Sequence, residues 1–304
     1  MFFNVISIIL INILLISALN LNSEFRLKVE NVAIQAARAA GEIILNGGKI
    51  DKNIESKIGD RDIVTNSDKA CQEILQKTIS NVFPKHSILG EEDVPPGRDA
   101  AIQTIEKLLE SNPEHIWIID PIDGTTNYAC DMKLCGVIIS YVNNKEVQFG
   151  CIYDPYHDEM FTAWKNHGAY LTTKDNKTKI SVCDSSSLAK SVVCTGSPPN
   201  LDSLDACLRA QLEISKDVRT VRILGSAAIN LAWEACGRMA AYFEADMNVW
   251  DVAAGSLLIQ EGGGTVSDVD GNKYTLLTRN FVGTNGLIHK ELTQRLRKAN
   301  HRMP

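Results

Sequence analysis

The sequence predicts a layered α/β fold with a mixed sheet, and three observations carry this prediction. Segments with apolar residues at helical spacing alternate along the chain with short apolar segments that are typical of strands. Between residues 136 and 164 the pattern changes to alternation at every second position, which predicts an antiparallel meander. The chain has 304 residues, 44% of them hydrophobic and 22% charged, so it can form one large core or two modest domains.

The first half of the chain is predicted to alternate helices and strands up to the meander. Gly47-Gly48 and Pro84 follow segments of helical spacing, at positions where helices commonly end. In order, we expect a helix over 29–44, a helix over 68–82 with Ser67 as its cap, a strand ending at Leu89, a helix over 100–109 and a strand ending at Asp120.

The second half returns to alternating strands and helices after the meander. No repeat, low-complexity tract or linker rich in Pro and Gly separates the halves, and a boundary would fall near 184–190. In order, we expect a strand over 191–196, a helix over 201–215, a strand over 218–224, a helix over 227–236, a strand over 240–245, a helix over 250–262 and a strand over 264–269.

Residues 1–22 form an apolar leader without a charged residue. Its length suits a signal peptide or a membrane anchor, although no Lys or Arg precedes it, and an extension from a misassigned start is a further reading. The eight cysteines are scattered and are expected to be mostly buried free thiols, which favours a reducing compartment. The leader favours a secretory or membrane-anchored location and the cysteines a cytoplasmic one, and membrane contact is expected only if the leader is retained.

Acidic residues stand at the ends of predicted elements in four separate segments. The net charge of −6 and the absence of a Lys/Arg run argue against nucleic acid as the partner of this acidic chain. Taken singly, each acid could be a helix cap or a surface residue, so the argument depends on their joint occurrence. No His or Cys accompanies them, and oxygen-only sets suit Mg²⁺, Mn²⁺ or Ca²⁺ better than zinc. The four segments are DIVTNSD at 62–68, LGEED at 89–93, DPIDGTT at 120–126 and NVWDVAAG at 248–255.

The segment DPIDGTT combines a predicted metal site with a predicted phosphate site. Its proline should bend the chain out of the strand, so that Asp120 and Asp123 converge and the Ile122 carbonyl adds a third oxygen. The amides of Gly124 and Thr125 would open a short helix, and a helix N-terminus binds phosphate readily. A metal beside an anion site is what metal-assisted hydrolysis of a phosphate ester requires.

Together, DIVTNSD, GEE, WIIDPIDGTTNY and WDVAAG resemble, in this order, the inositol monophosphatase family of Mg²⁺-dependent, lithium-sensitive phosphatases. The resemblance extends from about Leu27 to about Arg297. It implies an αβαβα sandwich of the sugar-phosphatase type, with a large mixed or antiparallel sheet and a second, smaller sheet. The catalytic domain would span 23–304, in two subregions of about 23–188 and 189–304.

The resemblance also implies the ligands of two to three Mg²⁺ ions in each site. Glu91, Asp120 and the Ile122 carbonyl would hold a first ion, and Asp120 would share a second with Asp123 and Asp251. Two departures from the family pattern remove no ligand. Some relatives carry a histidine where this chain has Asn248, and the segment 94–113 is longer than usual.

Catalytic and substrate-binding roles follow from the same resemblance. Asp68, Thr125 and Glu91 would form the catalytic set: Asp68 would help to hold a third, weaker ion through water, and with Thr125 it would position the attacking water. Glu244 would hydrogen-bond the hydroxyl groups of inositol, and Lys57 would be a basic residue near the site. The other residues implied to contact substrate are Gly124 and Thr125 for phosphate, and Gly196, Ser197, Gly225, Ser226 and Ala227 in two loops that line the pocket.

The sequence therefore predicts Mg²⁺-dependent hydrolysis of a small-molecule phosphate monoester, with myo-inositol 1-phosphate as the first choice of substrate. Thr126-Asn127 after DGT favours the inositol branch over the phosphoadenosine nucleotidases, which carry Lys-Glu there. Histidinol phosphate, galactose 1-phosphate and phosphoadenosine phosphate are the alternative substrates, and a non-catalytic, membrane-tethered relative is the alternative class. The family resemblance also implies a homodimer and inhibition by lithium.

Overall fold

The computed structural model describes residues 2–47, 53–174 and 176–301, with side chains from Ser23 onward apart from Ile58. Its α-helices are α1 (Phe2–Gly47), α2 (Asn66–Val82), α3 (Arg98–Ser111), α4 (Thr125–Ala129), α5 (Leu201–Ile214), α6 (Ala227–Ala235), α7 (Val249–Glu261) and α8 (His289–Lys298). Its strands are β1 (Glu55–Ile58), β2 (Asp62–Val64), β3 (Ser87–Gly90), β4 (His115–Asp123), β5 (Gly136–Asn143), β6 (Glu146–Asp154), β7 (Glu159–Trp164), β8 (Gly168–Thr173), β9 (Asn176–Ile180), β10 (Val192–Thr195), β11 (Thr220–Arg222), β12 (Ala241–Glu244), β13 (Thr265–Asp268) and β14 (Phe281–Thr284).

The described strands form one large sheet, one smaller sheet and the antiparallel pair β1-β2. The large sheet has the order β3-β4-β5-β6-β7-β8-β9 and is antiparallel except for the parallel pair β3-β4. The smaller sheet has the order β11-β10-β12-β14-β13, with β10 parallel to β11 and β12, and β14 antiparallel to both of its neighbours. Both sheets are therefore mixed, as the sequence predicted.

Helices cover both sheets and separate them. α1 and α2 pack on one face of the large sheet, where Trp117 and Ile119 of β4 join their core. α6 and α7 lie between the sheets, and their apolar residues share a core with residues of both. α5 and α8 close the outer face of the smaller sheet. The order of layers is αβαβα, which confirms the predicted fold class.

Several elements depart from the sequence prediction, and the departures have local causes. The cap of α2 is Thr65 and not Ser67, because the Thr65 hydroxyl accepts a hydrogen bond from the Ser67 amide at 3.2 Å. The prediction omitted β1, β2, β8, β9, β14 and α8. β9 is almost entirely exposed and polar, so it has no buried face for a pattern to reveal, and β14 has only four residues.

Some predictions about the ends and divisions of the chain stay predictions. Within its described part, no helix has both the length and the hydrophobicity needed to cross a membrane. The side chains of the predicted leader, residues 1–22, lie outside that part. The large sheet ends at Ile180 and the smaller sheet begins at Val192, but the division into 23–188 and 189–304 stays a prediction. All eight cysteines are free thiols, as expected.

The carboxyl end of β4 contains the feature that builds the site. β4 continues to Asp123 instead of ending at Asp120, and its pairing with β5 shifts between those residues. Asp120 lies opposite Ile138 and Asp123 opposite Gly136, so two residues of β4 face one residue of β5. In a regular strand, side chains three residues apart point to opposite faces. The bulge thus brings both carboxylates to the same side, where the prediction had invoked a bend at Pro121.

Glu234 is a buried carboxyl group in the core between the sheets. It lies on α6 with no exposed surface, against Gly283 of β14, where a Cβ atom would come within 2.9 Å of both carboxyl oxygens. Neither oxygen has a hydrogen bond of normal geometry to a described residue. Burial raises the pKa of Glu234 well above its usual 4.5, and the nearby Tyr242 amide offsets only part of that increase.

We expect the substitution Glu234→Met to increase the free energy of unfolding by about 1–2 kcal/mol at neutral pH, because it removes an unpaired buried carboxyl group. A pKa raised in the folded state means that stability is fully present below about pH 4.5 and falls as the pH rises towards the folded-state pKa. The advantage of the variant should therefore grow from pH 5 to pH 8 in urea unfolding experiments. Glu110→Met, at an exposed site of α3, is the control. Equal changes in the two variants would contradict the assignment.

Candidate active site

Three carboxylates converge at the end of β4 and the start of α7. One oxygen each from Asp120, Asp123 and Asp251 lies within 4.8 Å of the others. Asp251 occupies the third position of α7, where the Asn248 amide donates to its Oδ2 at 2.7 Å. The helix cap thereby fixes the direction of the Asp251 side chain, and the bulge in β4 fixes the other two.

Electrostatic repulsion dominates this cluster. Burial raises the pKa of Asp120 well above its usual range, and the charges of Glu91, Asp123 and Asp251 raise it further. Burial and the charge of Glu91 also raise the pKa of Asp251. Such a group of oxygens needs protons or a cation to become stable, and three carboxylates without nitrogen or sulfur fit a hard divalent metal ion. The residues present could thus hold a divalent metal ion.

Glu91 connects this cluster to a lysine on β1. Glu91 lies within hydrogen-bonding reach of Asp120, and Lys57 Nζ donates to Glu91 Oε1 and Glu92 Oε1, each at 2.9 Å. Burial alone would lower the pKa of Lys57, but the two glutamates outweigh it, so the pKa is raised and the amine stays charged. The structure therefore places the predicted basic residue against the predicted metal ligand.

The predicted pair Asp68 and Thr125 meets beside the cluster. Thr125 Oγ1 lies 3.0 Å from Asp68 Oδ1 and 3.0 Å from the Ile122 carbonyl oxygen, so the hydroxyl group can donate to either. Asp68 also accepts from the amide and hydroxyl groups of Thr65 in a capping box. Burial raises the pKa of Asp68 to about 6, although the hydrogen bonds from Thr65 oppose the shift. Asp68 can consequently exchange a proton near neutral pH.

Asp123 is held by the N-terminus of α6. The Ser226 hydroxyl donates to Asp123 Oδ2, and the amides of Ala227 and Ala228 donate at 3.1 and 2.8 Å. Even so, burial raises the pKa of Asp123 to about 6. Ser226 and Ala227, predicted to line the substrate pocket, are buried against Asp123, while Gly225 is exposed. The sequence analysis missed this anchoring role, although a serine before AAINLA has the pattern of a helix cap.

Glu244 packs against the loop that follows β10. A Cβ atom on Gly196 would lie 1.6 Å from Glu244 Oε2, so only glycine fits there. The hydroxyl group of Tyr242, a partner that the sequence analysis missed, donates to the same carboxyl group. Burial raises the pKa of Glu244 to about 7, and the Tyr242 hydrogen bond opposes the shift. Ser197, the next residue of the loop, is exposed.

Gly124 marks the turn from β4 into α4. Its φ of +88° lies in the left-handed region, and a Cβ atom there would meet the Leu134 carbonyl oxygen at 3.0 Å. Neither the backbone conformation nor the available space suits another residue. This turn starts α4 at Thr125 and aims its first amides at the end of β4, beside the carboxylates.

The αβαβα sandwich and its cluster of buried carboxylates define a metal-dependent phosphatase that acts on small phosphate monoesters. A model of the inositol monophosphatase family matches residues 26–302, and the chain belongs to that family.

Individual relatives agree with this assignment. Inositol monophosphatase 2 of Solanum lycopersicum is 37% identical over 258 residues, which cover 84% of this chain and 92% of the relative. The fructose-1,6-bisphosphatase/inositol-1-monophosphatase of Thermotoga maritima is 33% identical over 86% of this chain and 93% of its own. Among solved structures, the extragenic suppressor protein SuhB from Bartonella henselae superposes with a TM-score of 0.78 at 30% identity, covering 89% of this chain and 98% of that one. The protein is thus a phosphoric monoester hydrolase of the inositol monophosphatase type.

We expect metal binding to this cluster to stabilise the fold in a pH-dependent way. Without metal, the raised pKa values of Asp68 and Asp123, about 6, mean that stability falls as the pH rises from about 4 through 6. Mg²⁺ competes with protons for the carboxylates, so its stabilising effect should have the opposite trend. Thermal unfolding should shift upward by roughly 5 °C with excess Mg²⁺ at pH 8 and by much less at pH 5.

Two variants make this measurement specific. Asp123→Asn should lose the Mg²⁺-dependent shift, whereas Asp184→Asn, at an exposed position outside the cluster, should keep it. A shift of the same size in both variants would mean that the metal binds elsewhere.

Proposed function

We propose that the protein hydrolyses inositol phosphate monoesters, foremost myo-inositol 1-phosphate, with Mg²⁺ as its cofactor. The observation that carries this proposal is the convergence of Asp120, Asp123 and Asp251 beside the hydrogen-bonded pair Asp68 and Thr125. The name of the tomato relative supports inositol phosphate as the substrate. The donor set supports Mg²⁺, because it contains only oxygen ligands.

The protein's part in the reaction follows from these contacts. When bound, Mg²⁺ would activate water and stabilise negative charge on the phosphoryl and leaving oxygens. The residues that would hold it are Glu91, Asp120, Asp123, Asp251 and the carbonyl group of Ile122. The hydroxyl group of Thr125 donates to Asp68 and can accept from a water molecule, which fixes the orientation of that water. As the water oxygen bonds to phosphorus, its proton would pass through Thr125 Oγ1 to Asp68 Oδ1. The bond from phosphorus to the polyol oxygen would break, and that oxygen would take a proton from a solvent water molecule.

The substrate is expected to lie between α4 and the loop after β10. The amides of Gly124 and Thr125 would donate to the phosphate oxygens, and Lys57 would add positive charge nearby. Glu244 would accept hydrogen bonds from ring hydroxyl groups, with Gly196-Ser197 and Gly225 forming the neighbouring walls. A carboxylate accepts hydrogen bonds from hydroxyl groups and repels a second phosphate group, so Glu244 suits a neutral polyol.

A substrate panel tests this proposal. With Mg²⁺, the protein should release phosphate from inositol 1-phosphate with a kcat/KM at least about tenfold above that for histidinol phosphate, galactose 1-phosphate, phosphoadenosine phosphate and fructose 1,6-bisphosphate. Asp123→Asn should lower kcat by a factor of about a hundred or more, because it removes one metal ligand, and Asp184→Asn should not. Lithium in the millimolar range should inhibit the reaction. Equal turnover of all five esters would overturn the choice of inositol phosphate.

We also propose that the protein forms a homodimer through the exposed face of α5. Leu201, Leu208 and Leu212 follow one another along this face, with 66%, 50% and 73% of their surfaces exposed. Such a leucine stripe on a described helix is unfavourable in water, and an isologous contact with the same stripe of a second copy would cover it.

Sedimentation or light scattering at micromolar concentration should therefore detect a dimer for the wild-type protein. The double substitution Leu208→Glu/Leu212→Glu should produce a monomer that keeps its circular dichroism spectrum. Gln103→Glu, at an exposed position of α3, should remain dimeric. A dimer that survives in the double variant would place the interface elsewhere.

A further inference from the structure

Asp246 is the centre of a nearly buried ionic cluster next to the substrate side of the site. Only 8% of its side chain is exposed. Its Oδ2 accepts from Arg98 Nη2 and Nε at 3.0 and 3.1 Å, and its Oδ1 accepts from Arg279 Nη2 and Nε at 2.6 and 3.1 Å. The Ser203 hydroxyl donates to Oδ2 at 3.1 Å. One carboxylate thus joins three separate segments of the chain.

The backbone of Asp246 indicates that this side chain is retained for its contacts. The φ angle of Asp246 is +68°, in the left-handed region that favours glycine. A strained residue persists where the surrounding contacts determine its conformation. At this position the two guanidinium groups provide those contacts, so the turn over 245–248 is held by ion pairs.

Arg279 connects this turn to the metal ligands. Its Nη1 donates to Asn248 Oδ1 at 3.0 Å, and its carbonyl oxygen accepts from the Met247 amide at 2.9 Å. Asn248 in turn directs Asp251 through its amide. The turn begins directly after Glu244, so its position affects the residue proposed to bind the polyol more directly than it affects Asp251, which the start of α7 itself holds.

Arg98 connects the same carboxylate to the opposite side of the pocket. Its Nη2 donates to the Ser203 hydroxyl at 2.8 Å and to Asn200 Oδ1 at 3.3 Å. Asn200 caps α5 and ends the loop that starts at Gly196, against which Glu244 packs. Arg98 itself is the first residue of α3 and follows Glu91 by seven positions. One guanidinium group therefore sets the separation between the Gly196 loop and the turn after Glu244.

We propose that Arg98 and Asp246 are positioning residues that determine specificity for the polyol part of the substrate. Their ion pair holds the loop over 196–200 and the turn over 245–248 at the spacing required for a ring with several hydroxyl groups. The phosphate part is bound at α4 and the carboxylate cluster, so it depends on them much less. This inference rests on the proposed function, and it adds two residues that touch neither phosphate nor the metal ligands.

The test compares two esters that share a phosphate group but differ in the leaving group. For Arg98→Met and Asp246→Asn, kcat/KM for inositol 1-phosphate should fall about tenfold to a hundredfold, mainly through KM. For p-nitrophenyl phosphate, which has no polyol, kcat/KM should change less than about threefold. Arg98→Lys should lie between these variants and the wild type, because it keeps the charge but loses the two-point contact.

Further variants separate positioning from general damage. Asp246→Gly relaxes the left-handed backbone but removes the carboxylate, so it should fold and still lose selectivity. The double variant Arg98→Met/Asp246→Asn should have about the same kcat/KM for the polyol ester as the less active of the two single variants. Both substitutions remove the same ion pair, so their effects should not add. Arg295→Met, which breaks ion pairs with Glu213 and Asp217 in the outer helix layer, is the matched control and should leave both esters unaffected.

The outcomes distinguish this inference from the proposed function. If the wild-type protein prefers another polyol phosphate of the panel, the proposed substrate fails, and that ester replaces inositol 1-phosphate in the comparison. Equal losses for the polyol ester and p-nitrophenyl phosphate would overturn the inference, and so would additive effects in the double variant. An unchanged KM for the polyol ester in Arg98→Met would overturn it as well.

Discussion

The mutual repulsion of three carboxylates, two of them buried and one half-buried, is the constraint on which the rest of this structure depends. Asp120, Asp123 and Asp251 lie within 4.8 Å of one another in a site that water reaches poorly. Charges so close would separate if their side chains were free to turn. The fold prevents this by attaching each one to rigid backbone, and the layers of helix and sheet can be understood as the frame for that attachment.

Helix starts provide most of these attachments. Asp68 and Asp251 occupy the third positions of α2 and α7, where each accepts a hydrogen bond from the amide of its cap residue. Asp123 instead accepts amides from the start of α6, a helix in another part of the chain. The positive ends of three helix dipoles therefore point at the same acidic centre. At Asp251 the residue that caps α7 and the proposed metal ligand are the same side chain, so local helix stability and the chemistry of the site cannot be altered independently.

The sequence allowed the acidic segments, the layer order and the central strand to be predicted, because these leave strong local patterns. The segment IWIID predicts a buried strand with an acidic residue at its end, and Asp-Gly-Thr predicts a turn into a helix. Other features have no local pattern. β14 is recognised only through its partners on either side, and the left-handed conformation of Asp246 follows from ion pairs to Arg98 and Arg279, which lie 148 and 33 residues away. Ser226 had a cap pattern, but nothing in the sequence tells which distant carboxylate it serves.

The bulge in β4 also limits how this site can change during evolution. Side-chain direction along a strand depends on whether a spacing is odd or even, so the distance between Asp120 and Asp123 matters less than its parity. Deleting one residue between them would restore regular pairing, and the even spacing would keep both carboxylates on one face. The deletion would, however, displace the Ile122 carbonyl group and the turn into α4. Inserting one would add a second extra residue to the bulge, and the register that sets Asp123 opposite Gly136 would be lost. The length of this segment therefore cannot change by single residues without disturbing the site. Specificity can diverge instead through substitutions at other positions.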